Sequence, residues 1–287
     1  MDLVIILMSS SSVSAIFCAV IIWWLWKKGY LGIASSKGPS GPGNPLPTPP
    51  LKKSGSPWNI QFATAEENLS IDQGKLRVSF KAGKFGQGSG GALHANPFSS
   101  LPAESCVFSY KLFIPSNTDF VKGGKMCGVC IGKNERDCSS GGEWSMVGGS
   151  YRLTFDENGA VHPYLYLPFG SPGKAYDVQG PLFKKSARKA TRTGIRLWDG
   201  DSPLKLRKGQ WNSISMRMSL NTPGQTNGSL SATVNGVTKD FQGIRWRDSA
   251  DIKINMLVIV SFYGGSDSSY NAPKNTYVLL DDFRFSA

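Results

Sequence analysis

The chain has 287 residues, 33 glycines and a formal net charge of +12. Abundant glycine with few long helix-like stretches argues against a helix-built fold and for many strands joined by turns. The charge is localised: residues 174–208 carry ten Lys and Arg side chains against Asp177, Asp199 and Asp201, a field that attracts a polyanion such as nucleic acid, anionic lipid or acidic polysaccharide.

Residues 3–26 are largely apolar. As a helix they would extend about 36 Å, against a bilayer core of about 30 Å. Ser9 to Ser12 must lie inside such a span, where hydroxyls bond back to carbonyls one turn earlier. Trp23, Trp24 and Trp26 stand immediately before Lys27 and Lys28, the order of an aromatic belt followed by a basic flank. The pattern predicts a single transmembrane anchor over residues 1–28, with the lysine side and everything after it facing the cytoplasm. A cleaved signal peptide is the competing reading. It needs a basic start, and this chain begins Met1-Asp2, although Ala34, Ser35 and Ser36 supply small residues for cleavage.

Residues 29–57 read as a Pro/Gly-rich linker, a semi-extended spacer that cannot bury enough apolar surface to fold alone. A domain of about 230 residues follows, 58–287, a size that one all-β unit can fill. Leu76, Val78 and Phe80 alternate with Lys75, Arg77 and Ser79. Cys106, Phe108, Tyr110, Leu112 and Ile114 share one face of the next clear strand. Ile214, Met216 and Met218, and then Leu230, Ala232 and Val234, repeat the alternation, with Asn235-Gly236 as a hairpin turn. Residues 276–285 form a closing strand. Period-two patterning at this density predicts antiparallel sheets with one buried face, arranged as a two-sheet sandwich or jelly roll.

Two further strands carry the chemistry. In one, Tyr151, Leu153 and Phe155 point one way while Ser150, Arg152 and Thr154 point the other. In the next, Val161, Leu165 and Leu167 oppose His162, Tyr164 and Tyr166. The turn Asp156–Gly159 makes the pair a hairpin, so serine, arginine, histidine and two tyrosines line one face. The same pattern also describes an ordinary sheet surface with aromatic cross-strand pairs. Four cysteines lie in the domain: Cys106, Cys127, Cys130 and Cys138. They allow two disulfides in three pairings. Cys127 and Cys130 form a C-x-x-C, but the second paired cluster that a zinc site normally uses is missing. Asp281-Asp282 point to opposite faces of a strand and read as structural rather than as a calcium site.

Five segments in order make the chain resemble polysaccharide lyase family 14, which includes chlorella-virus cell-wall lyases and molluscan alginate lyases. They are FVKGGKMCG (120–128), the S-x-R strand, the Y-L-Y-L-P strand, KGQWNSISMRMSLNTPG (208–224) and SFYGGSDSSYNAPKNTY (261–277). The resemblance covers residues 58–287 and implies an all-β, jelly-roll antiparallel sandwich with a cleft. It implies cleavage of an anionic, uronate-containing polysaccharide by β-elimination, without a metal or other cofactor. Its site residues fall on Lys125, Ser150, Arg152, Tyr164 and Tyr166. Lys122 is an alternative to Lys125, and His162 is a candidate substrate contact or second base. The family's leucine-proline-glycine is replaced here by Met126-Cys127-Gly128.

The expected chemistry follows from the substrate. The proton at C5 of a uronate is easier to remove once a cation neutralises the neighbouring carboxylate. Arg152 and Lys125 are assigned that role. One tyrosine takes the proton and one protonates the O4 leaving group; which does which is open. Adjacent cations lower a tyrosine pKa, so alkaline-shifted activity is expected. The leading expectation is therefore a membrane-anchored polyuronate lyase. The alternative is a non-catalytic glycan-binding or structural protein, such as one in a virion membrane facing the capsid. A nucleic-acid partner is not expected, since no recognised module is present and few aromatics interleave the basic run.

Overall fold

The computed structural model describes residues 41, 43–51, 58–96, 101–134, 137–138, 147–167, 177–186, 194–197 and 202–287. The anchor expected over residues 1–28 lies outside these, as do residues 174–176, 187–193 and 198–201 of the basic run. Among the described residues no helix is long and apolar enough to cross a membrane.

In chain order the strands are β1 (Asn44–Pro45), β2 (Ile60–Thr64), β3 (Leu69–Asp72), β4 (Lys75–Phe80), β5 (Gly91–Ala95), β6 (Ser105–Ile114), β7 (Gly124–Gly132) and β8 (Gly148–Phe155). They continue with β9 (Val161–Tyr166), β10 (Ile195–Arg196), β11 (Gln210–Ser219), β12 (Gly228–Val234), β13 (Val237–Ile244), β14 (Lys253–Tyr263) and β15 (Thr276–Ser286). Among the described residues one short α-helix, α1 (Pro181–Ser186), packs on β13.

The strands form two antiparallel sheets, the sandwich that the alternating pattern predicts. The eight-stranded sheet runs β13-β12-β11-β6-β15-β4-β3, with β1 also on β15. The seven-stranded sheet runs β10-β9-β8-β7-β14-β5-β2. Strands of the first sheet alternate as read: β4 and β12 bury every second residue. Their inward side chains join those of the second sheet in one core that includes Phe108, Tyr110, Met216, Leu153, Leu257 and Trp246. Asn235 and Gly236 both have positive φ at the β12–β13 turn, as an Asn-Gly hairpin requires.

Two features depart from the sequence reading. Part of the expected spacer is docked on the domain: Asn44 and Pro45 pair with Phe285 and Arg284. Leu46 donates its N–H to Phe283 O at 2.7 Å, and Trp58 Nε1 donates to Pro47 O at 2.7 Å. An extended proline-rich segment cannot fold alone, but it can be held by an edge that another strand supplies.

The second departure is the seven-stranded sheet itself. β5, β7 and β14 are buried on both faces almost throughout, so they carry no alternation to read. Inside β7, Lys125 pairs with Thr154 while Gly128 pairs with Arg152. Two residues, Met126 and Cys127, therefore stand against Leu153 alone. This bulge reverses the alternation and brings Lys125 to the same face as Gly128 and Cys130.

Candidate active site

The β8–β9 hairpin has the expected register: Ser150 opposite Tyr166, Arg152 opposite Tyr164 and Thr154 opposite His162. These residues share the face of the seven-stranded sheet that points away from the core, because Tyr151, Leu153 and Leu165 point into it. The bulge in β7 adds Lys125. Its Nζ donates to Tyr166 Oη at 2.7 Å and lies 4.2 Å and 4.6 Å from the ring centroids of Tyr164 and Tyr166. The two tyrosine rings meet edge to face at 5.3 Å. Burial and, after it, the Arg152 charge hold the Lys125 ammonium well below the usual lysine range. This lysine is thereby disposed to exchange a proton rather than to serve as a fixed countercharge.

Arg152 is 2% exposed. The only hydrogen bond of its side chain among the described residues runs from Nη2 to Cys138 Sγ at 3.7 Å, and its Nε has no partner there. No carboxylate pairs with it among the described residues. Burial pushes its pKa down to about 10, against Tyr166 and Cys127, which raise it. The guanidinium is still charged at neutral pH. A buried cation without a counterion is costly, and a bound carboxylate would supply what is missing, with two oxygens matched to the guanidinium fork. Gly128 makes room for this arrangement. A Cβ there would come within 2.7 Å of Arg152 Cγ and 2.6 Å of Tyr151 O, so the arginine stem leans across β7.

Other expected residues are placed differently. His162 is 0% exposed and is not on the surface. Its Nε2 lies 3.1 Å from Asp156 Oδ2, which also accepts from Arg196 Nη2 at 3.4 Å. Asp156 Oδ1 accepts from the backbone N–H groups of Asn158 and Ala160, both at 2.9 Å. Burial alone would raise the Asp156 pKa, but the hydrogen bonds from His162, Ala160 and Asn158 outweigh it and the net shift is downward. His162 thus ties down the hairpin turn. Lys122 is turned away from the tyrosines: its Nζ donates to Ser269 Oγ at 2.9 Å and lies 5.8 Å from the Tyr270 ring centroid.

Cys130 and Cys138 are joined in a disulfide on the site face, while Cys106 and Cys127 are free and buried. Cys127 points into the core beside Met126, so the departure at Met126-Cys127 does not line the site. Cys127 and Cys130 lie on opposite faces of β7, which removes the C-x-x-C as a chelating pair. Burial pushes both free thiols up to about 12, leaving them as inert thiols. Among the described residues no group of three or more His, Cys, Asp or Glu side chains could hold a metal ion.

The geometry now stands beside what known proteins share with this chain. The profile of polysaccharide lyase 14 matches residues 69–283. Exolysin of Paramecium bursaria Chlorella virus 1 is 28% identical over 200 residues, 64% of this chain and 30% of that protein. The chain therefore spans about a third of the length of this relative. Among solved structures, a Chlorella virus alginate lyase superimposes with a TM-score of 0.66 at 24% identity, over 80% of this chain and 93% of that one. The marine alginate lyase of Aplysia kurodai does so with a TM-score of 0.71 at 22% identity, over 86% of this chain and 100% of that one. At these identities the two structures establish the fold. The profile match, extending over well more than half of the sequence, establishes that this chain belongs to polysaccharide lyase family 14.

Proposed function

We propose that the protein cleaves a uronate-containing polysaccharide by β-elimination at the face formed by Lys125, Ser150, Arg152, Tyr164 and Tyr166. The observation that carries this reading is the buried Arg152 guanidinium with no carboxylate partner among the described residues, set beside a lysine hydrogen-bonded to a tyrosine. Arg152 takes the substrate carboxylate and stabilises the negative charge that develops at C5. The Lys125–Tyr166 pair moves the protons. One member accepts the C5 proton, and the C–H electron pair forms the C4–C5 double bond. The bond from C4 to its glycosidic oxygen breaks, and that oxygen leaves with a proton. Tyr164 packs its ring on the same ammonium and is the second phenol within reach.

The test is to incubate the protein with polyglucuronate and with alginate while following absorbance from the unsaturated product. Cleavage of either polymer supports the reading, and the preferred polymer names the uronate. Binding without cleavage, lost in Arg152→Ala, would make the domain a glycan-binding descendant of the lyase fold. Neither binding nor cleavage would end the reading.

We further propose that the apolar run before Lys27 tethers the protein to a membrane, with the lyase domain on the basic-flank side and the virion membrane as one such setting. The support is the tryptophan–lysine boundary. The full-length protein should resist alkaline carbonate extraction from membranes. Release by carbonate, or a mature N-terminus near Ser35, would refute a spanning anchor.

A further inference from the structure

His94 is a second histidine on the site face, and the elimination outlined above does not use it. It lies on β5 in a row that crosses the seven-stranded sheet: Phe62, His94, Val258, Gly128, Arg152 and Tyr164 are successive cross-strand neighbours. The row places His94 on the same face as Arg152. The gap at Gly128 lets the arginine stem lean toward it, and the Arg152 charge acts on the imidazole.

The ring is held firmly. Phe62 stacks on it with centroids 3.9 Å apart and planes 17° from parallel. Phe62 is 38% exposed while His94 is only 6% exposed, so the phenyl ring caps the imidazole from outside. Nδ1 is sealed in, with no hydrogen-bond partner among the described residues. Burying an unmet N–H is rarer in folded proteins than burying an unmet acceptor, so the proton belongs on Nε2. Burial and then Arg152 push the His94 pKa down to about 3, which keeps the ring neutral. The result is a fixed, uncharged N–H donor near a buried guanidinium that lacks a carboxylate.

We propose that His94 is a substrate-binding residue of this site, donating from Nε2 to the carboxylate of the uronate that pairs with Arg152. This rests on the lyase reading above. A carboxylate has enough lone pairs to accept from both groups at once. A neutral donor adds a hydrogen bond to the carboxylate without adding a further buried charge to the site.

Two variants of the full-length protein separate binding from packing. His94→Phe keeps an aromatic ring against Phe62 and removes the donor. His94→Gln keeps an N–H donor and loses the ring. With polyglucuronate or alginate, whichever is cleaved, His94→Phe should raise KM by about tenfold or more, as loss of a hydrogen bond to a charged group predicts. Turnover should change little, and His94→Gln should recover much of the lost affinity. Because the ring is neutral, wild-type KM should show no inflection near pH 6.5. A wild-type KM in His94→Phe would overturn the proposal. So would a His94→Gln variant as weak as His94→Phe at unchanged melting temperature, since that pattern belongs to packing. Those outcomes leave the lyase reading intact. A wild type that neither binds nor cleaves polyuronate removes both together.

Discussion

On the eight-stranded sheet, Lys111 reaches Asp282 at 3.2 Å, Arg284 reaches the same carboxylate at 3.0 Å, and Arg77 pairs with Asp72 at 3.1 Å while lying over the Tyr277 ring. These cations are partly exposed and paired. On the seven-stranded sheet Arg152 is buried and Lys125 half-buried, and among the described residues neither meets a carboxylate. Exposed pairs contribute little to stability. A buried cation without a carboxylate costs stability and gains it back from a ligand that brings an anion. The contrast sets one sheet as scaffold against the other, which bears the candidate site.

The sharpest way to break this contrast is to remove the proton-transfer groups. Tyr166→Phe deletes only a hydroxyl, so turnover should fall by about 10²–10⁴ while KM stays near the wild-type value. Steady-state kinetics on a cleaved polyuronate check this, and a near-normal kcat would show that Tyr166 carries no proton. Lys125→Arg keeps the charge but removes a base that can become neutral. It should lose activity to a similar degree, and it should lose the ascending limb of the wild-type pH profile, along which the lysine becomes neutral. That limb should lie below the ordinary lysine pKa of about 10.4, because burial and Arg152 hold Lys125 down.

Arg152→Ala should lower kcat/KM by about 10²–10³, the usual loss for one group stabilising developing charge. Unlike Tyr166→Phe, it should weaken substrate binding too, since the carboxylate is charged before reaction as well as during it. The folded apo protein could gain stability from the same change, because an unpaired buried cation is lost. A thermal melt without substrate reads that sign directly.

The disulfide between Cys130 and Cys138 closes a short loop, with a sequence separation of 8. On the chain-entropy account its removal by Cys138→Ala should cost about 2.5 kcal/mol, measured by denaturant unfolding. Alkylating the native protein should leave activity largely intact, because Cys106 and Cys127 are buried and not in the site. Chelation should have no effect either; activity lost to a chelator and restored by zinc would contradict that.

Smaller effects come last. Asp156→Asn should lower stability at pH 7 by about 1 kcal/mol, the order of one hydrogen bond. The folded pKa of Asp156 is depressed. Its contribution is therefore complete above the unfolded carboxylate value of about 3.9 and is lost as pH falls through the folded value. The gap between variant and wild type should close in acid. Lys111→Ala, on the scaffold sheet, should change stability by less than about 1 kcal/mol and leave kinetics unaltered. A catalytic effect there would erase the distinction between the sheets.

The alternation in β4, β6, β11 and β12 was legible because each has one face in the core and one toward solvent. A period of two is then written directly into residue type. The β8–β9 hairpin was legible because polar and apolar residue types alternate along it, although almost all of them are buried, and it carried Ser150, Arg152, Tyr164 and Tyr166 with it. Lys125 and Lys122 could be matched by motif but not separated by it. The bulge that turns Lys125 toward Tyr166 depends on how β7 lies against β8, a property of two strands together. His162 reads as a candidate substrate contact because its neighbours in sequence are tyrosines on the same face. Its Asp156 partner is brought close by the hairpin turn.

By itself, the sequence determined the all-β class, the hairpin that bears most of the candidate site and the family to which the chain belongs. All three rest on local pattern, which survives in one dimension. Tertiary structure decided which cations are paired, which thiols meet and which histidine stands near Arg152. β5, β7 and β14 are buried on both faces, so neither hydrophobic period nor charge distinguishes the side that meets substrate from the side that meets the core. Cross-strand register makes that distinction, because it sets side by side residues as distant in the chain as His94, Arg152 and Val258.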